Sequence, residues 1–273
     1  MNSLLQTAIT AALKAGEEIL RIYNDPASDF EVEKKSDHSP LTIADRKSNE
    51  IIMEYLKNTP YPVISEENKA IGYDTRRSWT TVWIVDPLDG TKEFIQKNGE
   101  FTVNIALVYE GRPALGVIYI PVTRTLYYGT LREGAYKIAP VSYAKATDWA
   151  ELEKKALPLP LPRKDTSFVV VASRSHMSME TERFIADLKR EHKEVRFTSI
   201  GSSIKICLVA EGSADIYPRF APTMEWDTAA GHAIAKAAGK ELYQQDGKTP
   251  LTYNKENLLN PWFIVKPQSN EQP

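Results

Sequence analysis

One stretch, Trp83 to Phe94, reads WIVDPLDGTKEF and constrains this chain more than any other. A short apolar run of β-formers predicts a buried strand, and at its end stand Asp86 and Asp89, three positions apart around a proline. An ionised carboxylate directly after Trp83-Ile84-Val85 is costly to desolvate, so Asp86 calls for a cationic or metal partner. Asp89 also has a plainer reading, because an aspartate ahead of Gly90-Thr91 can do no more than cap the helix that follows. Gly90 allows close backbone approach and Thr91 offers a hydroxyl. Two carboxylates on such a turn suit a hard divalent cation such as Mg²⁺, and N–H groups opening a helical turn suit a phosphate oxygen. Metal and anion side by side belong to phosphate chemistry.

The rest of the composition leaves room for that reading. At 273 residues the chain can form one large domain or two intimately packed lobes around a substantial core. Lysine and arginine number 34 against 36 aspartates and glutamates, so a net charge of -2 gives no global attraction to nucleic acid or anionic membrane. Phosphate recognition must therefore be local and the expected partner a small molecule, not nucleic acid. The single cysteine, Cys207, excludes an intramolecular disulfide and suggests a reducing compartment. Between Ile204 and Leu208 it reads as a small buried apolar residue in preference to a nucleophile.

At the N-terminus, Leu5, Ala8, Ile9, Ala12, Leu13, Ile19 and Leu20 recur at helical spacing, with Gly16 on the same face where another element could pack closely. No basic leader precedes this stretch, Lys14, Glu17 and Glu18 interrupt it, and no apolar run approaches the roughly 20 residues that span a bilayer. A cytoplasmic protein without a transmembrane segment is the expectation. Oligomeric state stays open between monomer and homodimer.

A second helix is expected from Ile43 onward, entered through Thr42. Two strands follow in FTVNIALVYEGRPALGVIYIP, joined at Glu110 to Pro113, and a further hairpin around Leu131 to Gly134. The charged and then proline-rich segment from Val141 to Asp165 predicts a boundary or surface crossing. Beyond it come a strand in SFVVVASR, a helix from Met179 to about His192, a strand near Val195 to Thr198, and a helix opened by GSSIKICLVAEG. A last helix, WDTAAGHAIAKAAGKE, turns Ala229, Ala230, Ala233, Ile234 and Ala237 inward. Alternation of this kind suggests an α/β layer arrangement in the second half.

A D-x-D-G-T signature after a strand marks haloacid-dehalogenase-like phosphatases, which form a phosphoaspartate. Here the aspartates stand at i and i+3, and the inserted residue redirects the second side chain, which weakens the covalent reading. DPLDGT instead resembles the D-P-[IL]-D-G-T motif of the lithium-sensitive, magnesium-dependent inositol monophosphatase superfamily. WDTAAG resembles its second signature, VISEEN its strand-borne acidic motif, and SPLTIAD its upstream threonine-aspartate segment. Within the superfamily, DHSPLTIAD, DGTKEF, GEFTVNIALV, GSSIKICLVAEG and YPRFAPTMEWDTAAGHAI look most like the 3'(2'),5'-bisphosphate nucleotidase branch.

The resemblance implies an α/β (α+β) sugar-phosphatase fold, an αβαβα layered sandwich. It further implies a lobe of residues 1–155 carrying most metal ligands and a lobe of residues 156–273 carrying nucleotide contacts and the last ligand. It implies hydrolysis of the 3'-phosphate of adenosine 3',5'-bisphosphate to AMP and phosphate, with two or three Mg²⁺ per site, Li⁺ as an inhibitor and a link to sulfate assimilation. By the same resemblance Glu66, Asp86, the Leu88 carbonyl, Asp89 and Asp227 would hold metal, with Asp86 bridging. Thr91 and Asp45 would orient the attacking water, and Asp37 is a further candidate for base or water positioning. Gly90 and Thr91 N–H groups would meet the phosphate, and Ser175, His176, Ser202, Ser203, Lys205 and Arg219 would surround the nucleoside and its second phosphate.

Plainer readings stand beside several of these. Asp45 can complete a capping box with Thr42, Asp227 can cap its helix, Lys205 can be a solvated helix lysine, and His176 a turn residue. Lys92 and Glu93 have no assigned role. An inositol monophosphatase or sugar bisphosphatase on the same scaffold is the nearest alternative, and a non-catalytic nucleotide- or metal-binding regulator is the alternative from another class.

Overall fold

The computed structural model describes residues 2–28, 30, 32–34, 40–143, 148–172 and 178–268. Asp37, Ser175 and His176 lie outside the described residues. The chain begins with α1 (Ser3–Tyr23), the short pair β1 (Glu33–Lys34) and β2 (Pro40–Leu41), and α2 (Ile43–Leu56). It continues through β3 (Val63–Ser65), α3 (Tyr73–Arg76), β4 (Thr81–Asp89), α4 (Thr91–Ile95), β5 (Thr102–Tyr109), β6 (Arg112–Ile120), β7 (Thr125–Thr130) and β8 (Gly134–Ile138). After α5 (Trp149–Lys155) and β9 (Leu157–Pro158) come β10 (Phe168–Ala172), α6 (Met179–Glu191), β11 (Val195–Ser199) and α7 (Ile204–Glu211). The last elements are β12 (Tyr217–Arg219), α8 (Glu225–Ala237), β13 (Lys240–Gln244) and β14 (Phe263–Pro267). Among the described residues no helix is long and apolar enough to cross a membrane.

Strands β3 to β9 form a seven-stranded sheet in sequential order, parallel between β3 and β4 and antiparallel elsewhere. Both of its faces are buried, which is why its central strands read as apolar runs without a polar side. Side chains alternate between two cores as the pleat requires. Trp83, Val85, Val103, Ile105, Val117 and Tyr119 face α1 and α2. Val82, Ile84, Ala106, Val108 and Ile118 face α7 and α8. Beyond those two helices lie the antiparallel sheet β12-β14-β13 and the parallel pair β10-β11, joined by a bridge between Val170 and Ile216. A third core, around Val170, Ile185, Leu188 and Phe220, seats α6 on the outer face. The layers are therefore α, β, α, β, α.

Most element expectations match. Gly16 admits the Tyr119 ring, which a Cβ there would overlap. The Glu110-Gly111 turn takes φ of 47° and 69°, closing the β5–β6 hairpin. The proline-rich segment differs from the expected boundary: it contains α5, and Leu157-Pro158 adds an edge strand to β8. Proline is tolerated there because an edge strand can leave an N–H position unused. The second half is layered as its alternation suggests, with β10 and β11 paired in parallel and β12, β14 and β13 antiparallel among the described residues.

The contact that places the site is between α8 and the sheet. A Cβ at Gly116 would overlap the Ala230 carbonyl and stand 2.9 Å from the Ala233 Cβ, and one at Gly129 would stand 3.2 Å from the Ile234 Cα. On the other side of α8, Gly231 receives Ile206 of α7. Polar anchors fix the helix lengthwise. Burial pulls the His232 pKa down, so the neutral ring donates Nε2–H to Glu241 and accepts from the Tyr253 hydroxyl at Nδ1, 2.8 Å away. Lys255 pairs with the fully buried Glu225 at the start of the helix.

Two outcomes follow from this seating. Gly116→Ala should cost about 3 kcal/mol by overpacking the α8 contact, read as a lower midpoint in chemical unfolding. Burial by itself would raise the Glu241 pKa, but the bonds to His232 and Lys236 prevail and bring it from 4.5 to about 2. Its stabilisation is thus present above the ordinary carboxylate range and lost as pH falls toward 2. Replacing it in Glu241→Gln should flatten that acid limb of the stability curve while lowering stability at neutral pH.

Candidate active site

In a regular strand, residues i and i+3 point to opposite faces. Asp86 and Asp89 escape that rule because β4 is bulged against β5. Asp86 pairs with Asn104 and Asp89 with Thr102, so two residues on β4 oppose one on β5. Pro87 sits in the bulge without an N–H to lose, and its carbonyl accepts from the Ser48 hydroxyl of α2 at 2.6 Å. The inserted residue brings both aspartates to one side. There they meet Asp227, from the first turn of α8, with one carboxylate oxygen of each within 4.8 Å of the others.

Asp227 Oδ2 accepts from the Met224 N–H at 2.8 Å, so the residue caps its helix and belongs to the cluster at once. Burial, followed by the negative charges of Asp89 and Glu66, pushes its pKa up to about 8. Three clustered carboxylates with this mutual cost fit a hard cation, which supplies the missing positive charge. Asp86 is 1% exposed, and its Oδ1 accepts from the Leu88 N–H at 3.1 Å. Glu66 follows β3, tied by its N–H to the Val85 carbonyl at 3.1 Å, and acts on Asp227 through its charge from beyond the three-carboxylate group.

Asp45 caps its helix, as its plainer reading has it, and also reaches Thr91. Its Oδ2 accepts from the Thr42 N–H at 2.7 Å, capping α2, while its Oδ1 accepts from the Thr91 hydroxyl at 3.0 Å. Gly90, at φ 97°, supplies the left-handed turn between β4 and α4, where a Cβ would stand 3.0 Å from the Glu100 carbonyl.

The segment before α7 reaches the same place. Ser202 Oγ and Ser203 N–H both donate to Asp89 Oδ2, at 2.7 and 2.6 Å. Lys205 is 6% exposed, which corrects the solvated-lysine reading, and Nζ donates to the carbonyls of Ser202 and Ile200 at 2.7 and 3.2 Å. Burial lowers its pKa to about 8 against the opposing pull of Asp89. Arg219 Nη2 donates to the Pro222 carbonyl at 3.3 Å, and its Nε is buried without a partner among the described residues. Lys205, Arg219 and Lys92 line a cleft whose wall includes Asp89, Gly90, Ser202, Ser203 and Asp227. Glu93 and Glu100 line it too, and Glu100 accepts from the Gly201 N–H at 2.7 Å. Cys207 is fully buried, with its thiol pKa pushed well up, as its plain reading has it.

Sequence reading missed Glu100, Thr102 and Asn104. GEFTVN resembles a family segment, yet only the strand register shows that Thr102 and Asn104 stand opposite Asp89 and Asp86.

Residues 1–270 match the inositol monophosphatase family. The chain is 44% identical over 266 residues to the 3'(2'),5'-bisphosphate nucleotidase CysQ of Salmonella typhimurium, covering 96% of this chain and 99% of that protein. It is equally 44% identical over 267 residues to its counterpart in Escherichia coli K12, with the same coverage. Its fold superimposes on the crystal structure of CysQ from Bacteroides thetaiotaomicron with a TM-score of 0.91 at 58% identity, covering 98% of both chains. The suhB protein of Bartonella henselae shares the fold at a TM-score of 0.73 and 24% identity, over 98% of this chain and 95% of that one. The chain belongs to the inositol monophosphatase family.

Proposed function

We propose that this chain is a metal-dependent 3'(2'),5'-bisphosphate nucleotidase that removes the 3'-phosphate of adenosine 3',5'-bisphosphate, leaving AMP. The observation that carries the reading is the bulge that turns Asp86 and Asp89 toward Asp227 at the edge of a cleft lined by Lys205 and Arg219. The nucleotidases of Salmonella typhimurium and Escherichia coli, alike over nearly the whole chain, support the same substrate class.

Asp86, Asp89 and Asp227, with Glu66 and the Leu88 carbonyl, are the residues that would hold two or three Mg²⁺ ions. When bound, Mg²⁺ supplies Lewis acidity that favours hydroxide over water and offsets phosphoryl charge. The protein residues do the positioning. The one hydroxyl proton of Thr91 goes to Asp45, which leaves its oxygen lone pairs to accept from an attacking water and aim it. The opening N–H groups of α4, at Gly90 and Thr91, suit the oxygens of the reacting phosphate. Lys205 has a third donor beyond its two carbonyl partners, and Arg219 has an unpartnered Nε. Both would attract the second phosphate, in a chain whose net charge of -2 provides no general pull.

Asp37 as an additional base, Ser175 and His176 against the nucleoside, Li⁺ as inhibitor, a cytoplasmic location and a place in sulfate assimilation belong to the same proposal. So does a division of labour in which residues 1–155 carry most of the metal site and residues 156–273 carry the nucleotide contacts and Asp227.

Phosphate release from adenosine 3',5'-bisphosphate, AMP and inositol 1-phosphate, each with Mg²⁺ and with or without Li⁺, tests the reading. The expected result is strong preference for the bisphosphate, abolished by Li⁺; preference for inositol 1-phosphate would overturn the substrate. Asp86→Asn should lower kcat by ~10³-fold or more, since several kcal/mol of charge stabilisation is lost. Lys205→Met should raise KM for the bisphosphate by roughly tenfold or more, the loss of a charge-assisted bond.

A further inference from the structure

Asp89 Oδ2 is held by Ser202, and behind Ser202 lies a closed group of buried polar side chains. Thr102 is 0% exposed and Asn104 1%. The Thr102 hydroxyl stands 2.7 Å from Ser202 Oγ, 2.8 Å from Ser203 Oγ and 2.9 Å from the amide end of Asn104 at Oδ1. Ser203 Oγ meets that same end of Asn104 at 2.9 Å, while Asn104 Nδ2 is buried without a partner among the described residues.

Proton counting decides how this group works. Ser202 Oγ donates to Asp89 Oδ2, so its single proton is committed there. Thr102 and Ser203 then have two protons for four remaining contacts, and two contacts would set oxygen against oxygen. Turning the Asn104 amide by 180° places its NH₂ against both hydroxyls and supplies the two missing protons, exchanging an unpaired buried donor for an unpaired carbonyl oxygen, the better-tolerated orphan. Every contact then has one donor. Asn104 donates to Thr102 and Ser203, Ser203 donates to Thr102, Thr102 donates to Ser202, and Ser202 donates to Asp89.

We infer that Thr102 is a positioning residue for Asp89: its hydroxyl, saturated as two-fold acceptor and single donor, directs the Ser202 proton onto Asp89 Oδ2 and leaves Oδ1 for the metal. This rests on Asp89 being a metal ligand. Thr102 touches neither substrate nor metal; it acts through Ser202, and the same chain ties the cleft-lining segment before α7 to the metal-binding end of β4. Partners of this kind behind a ligating carboxylate commonly govern metal affinity by 10–100-fold.

The test is calorimetric titration of Mg²⁺ into the intact wild-type protein, Thr102→Val and Thr102→Ser, with thermal unfolding without metal recorded for each. The wild type should bind Mg²⁺, Thr102→Val should weaken binding by ~10-fold or more, and Thr102→Ser should restore it. Thr125→Val, which removes another buried hydroxyl from the same sheet, should leave the Mg²⁺ affinity at the wild-type value and so separate positioning from general destabilisation. Affinity within twofold of wild type in Thr102→Val overturns the proposal. Should that variant not fold, Thr102→Ala in the same titration decides by the same criterion. Failure of the metal reading is seen separately, as no Mg²⁺ binding by the wild type or undiminished binding by Asp89→Asn, and either result overturns this proposal with it.

Discussion

Everything at the site depends on how closely α8 lies on the seven-stranded sheet. Gly116 and Gly129 leave no side chain between strand and helix, and the alanines of α8 keep the other side of the contact thin. The first turn of the helix therefore arrives beside β4, and Asp227 joins two aspartates more than a hundred residues earlier in the chain. A bulkier contact would move Asp227 as well as loosen a core, because the same helix serves both. Its polar anchors, His232 to Glu241 and Glu225 to Lys255, limit sliding along the sheet where apolar packing alone is non-directional.

The bulge at Asp86 to Asp89 solves a different problem. A pleated strand alternates its side chains, yet here two carboxylates stand on one side, and one unmatched residue supplies the reversal. Proline suits that position because the bulge removes a ladder bond in any case. Asp45 and Asp227 show a related economy: each satisfies a helix N-terminus, Asp45 with one oxygen while the other accepts from Thr91, and Asp227 while standing in the carboxylate cluster. Capping also fixes the rotamer, so a residue that closes a helix presents its second oxygen in a defined direction.

Positive charge stands beside the carboxylates in one cleft. Lys205 is buried against backbone carbonyls, and Arg219 has an unpartnered nitrogen at the cleft. A near-neutral chain thus holds acidic and cationic side chains together at one cleft, a local charge arrangement where the whole chain offers none.

Apolar runs and turn signals determined the strands around Trp83 and the β5–β6 hairpin, and helical periodicity determined α1, α2, α6 and α8, because these patterns report local geometry. The spacing of Asp86, Asp89 and Gly90 likewise announced a polar site at the end of a buried strand, and the resemblance of DPLDGT and WDTAAG named its family. Sequence left Asp45, Asp227 and Lys205 between plain and functional readings. Tertiary structure showed that the first two cap their helices while standing beside Thr91 and the carboxylate cluster, and that Lys205 is buried. It alone revealed Thr102 and Asn104, whose polar side chains look unremarkable within FTVNIALV until strand register sets them against Asp89 and Asp86. Register, bulge and helix seating are long-range facts of packing, and no local pattern of residues encodes them.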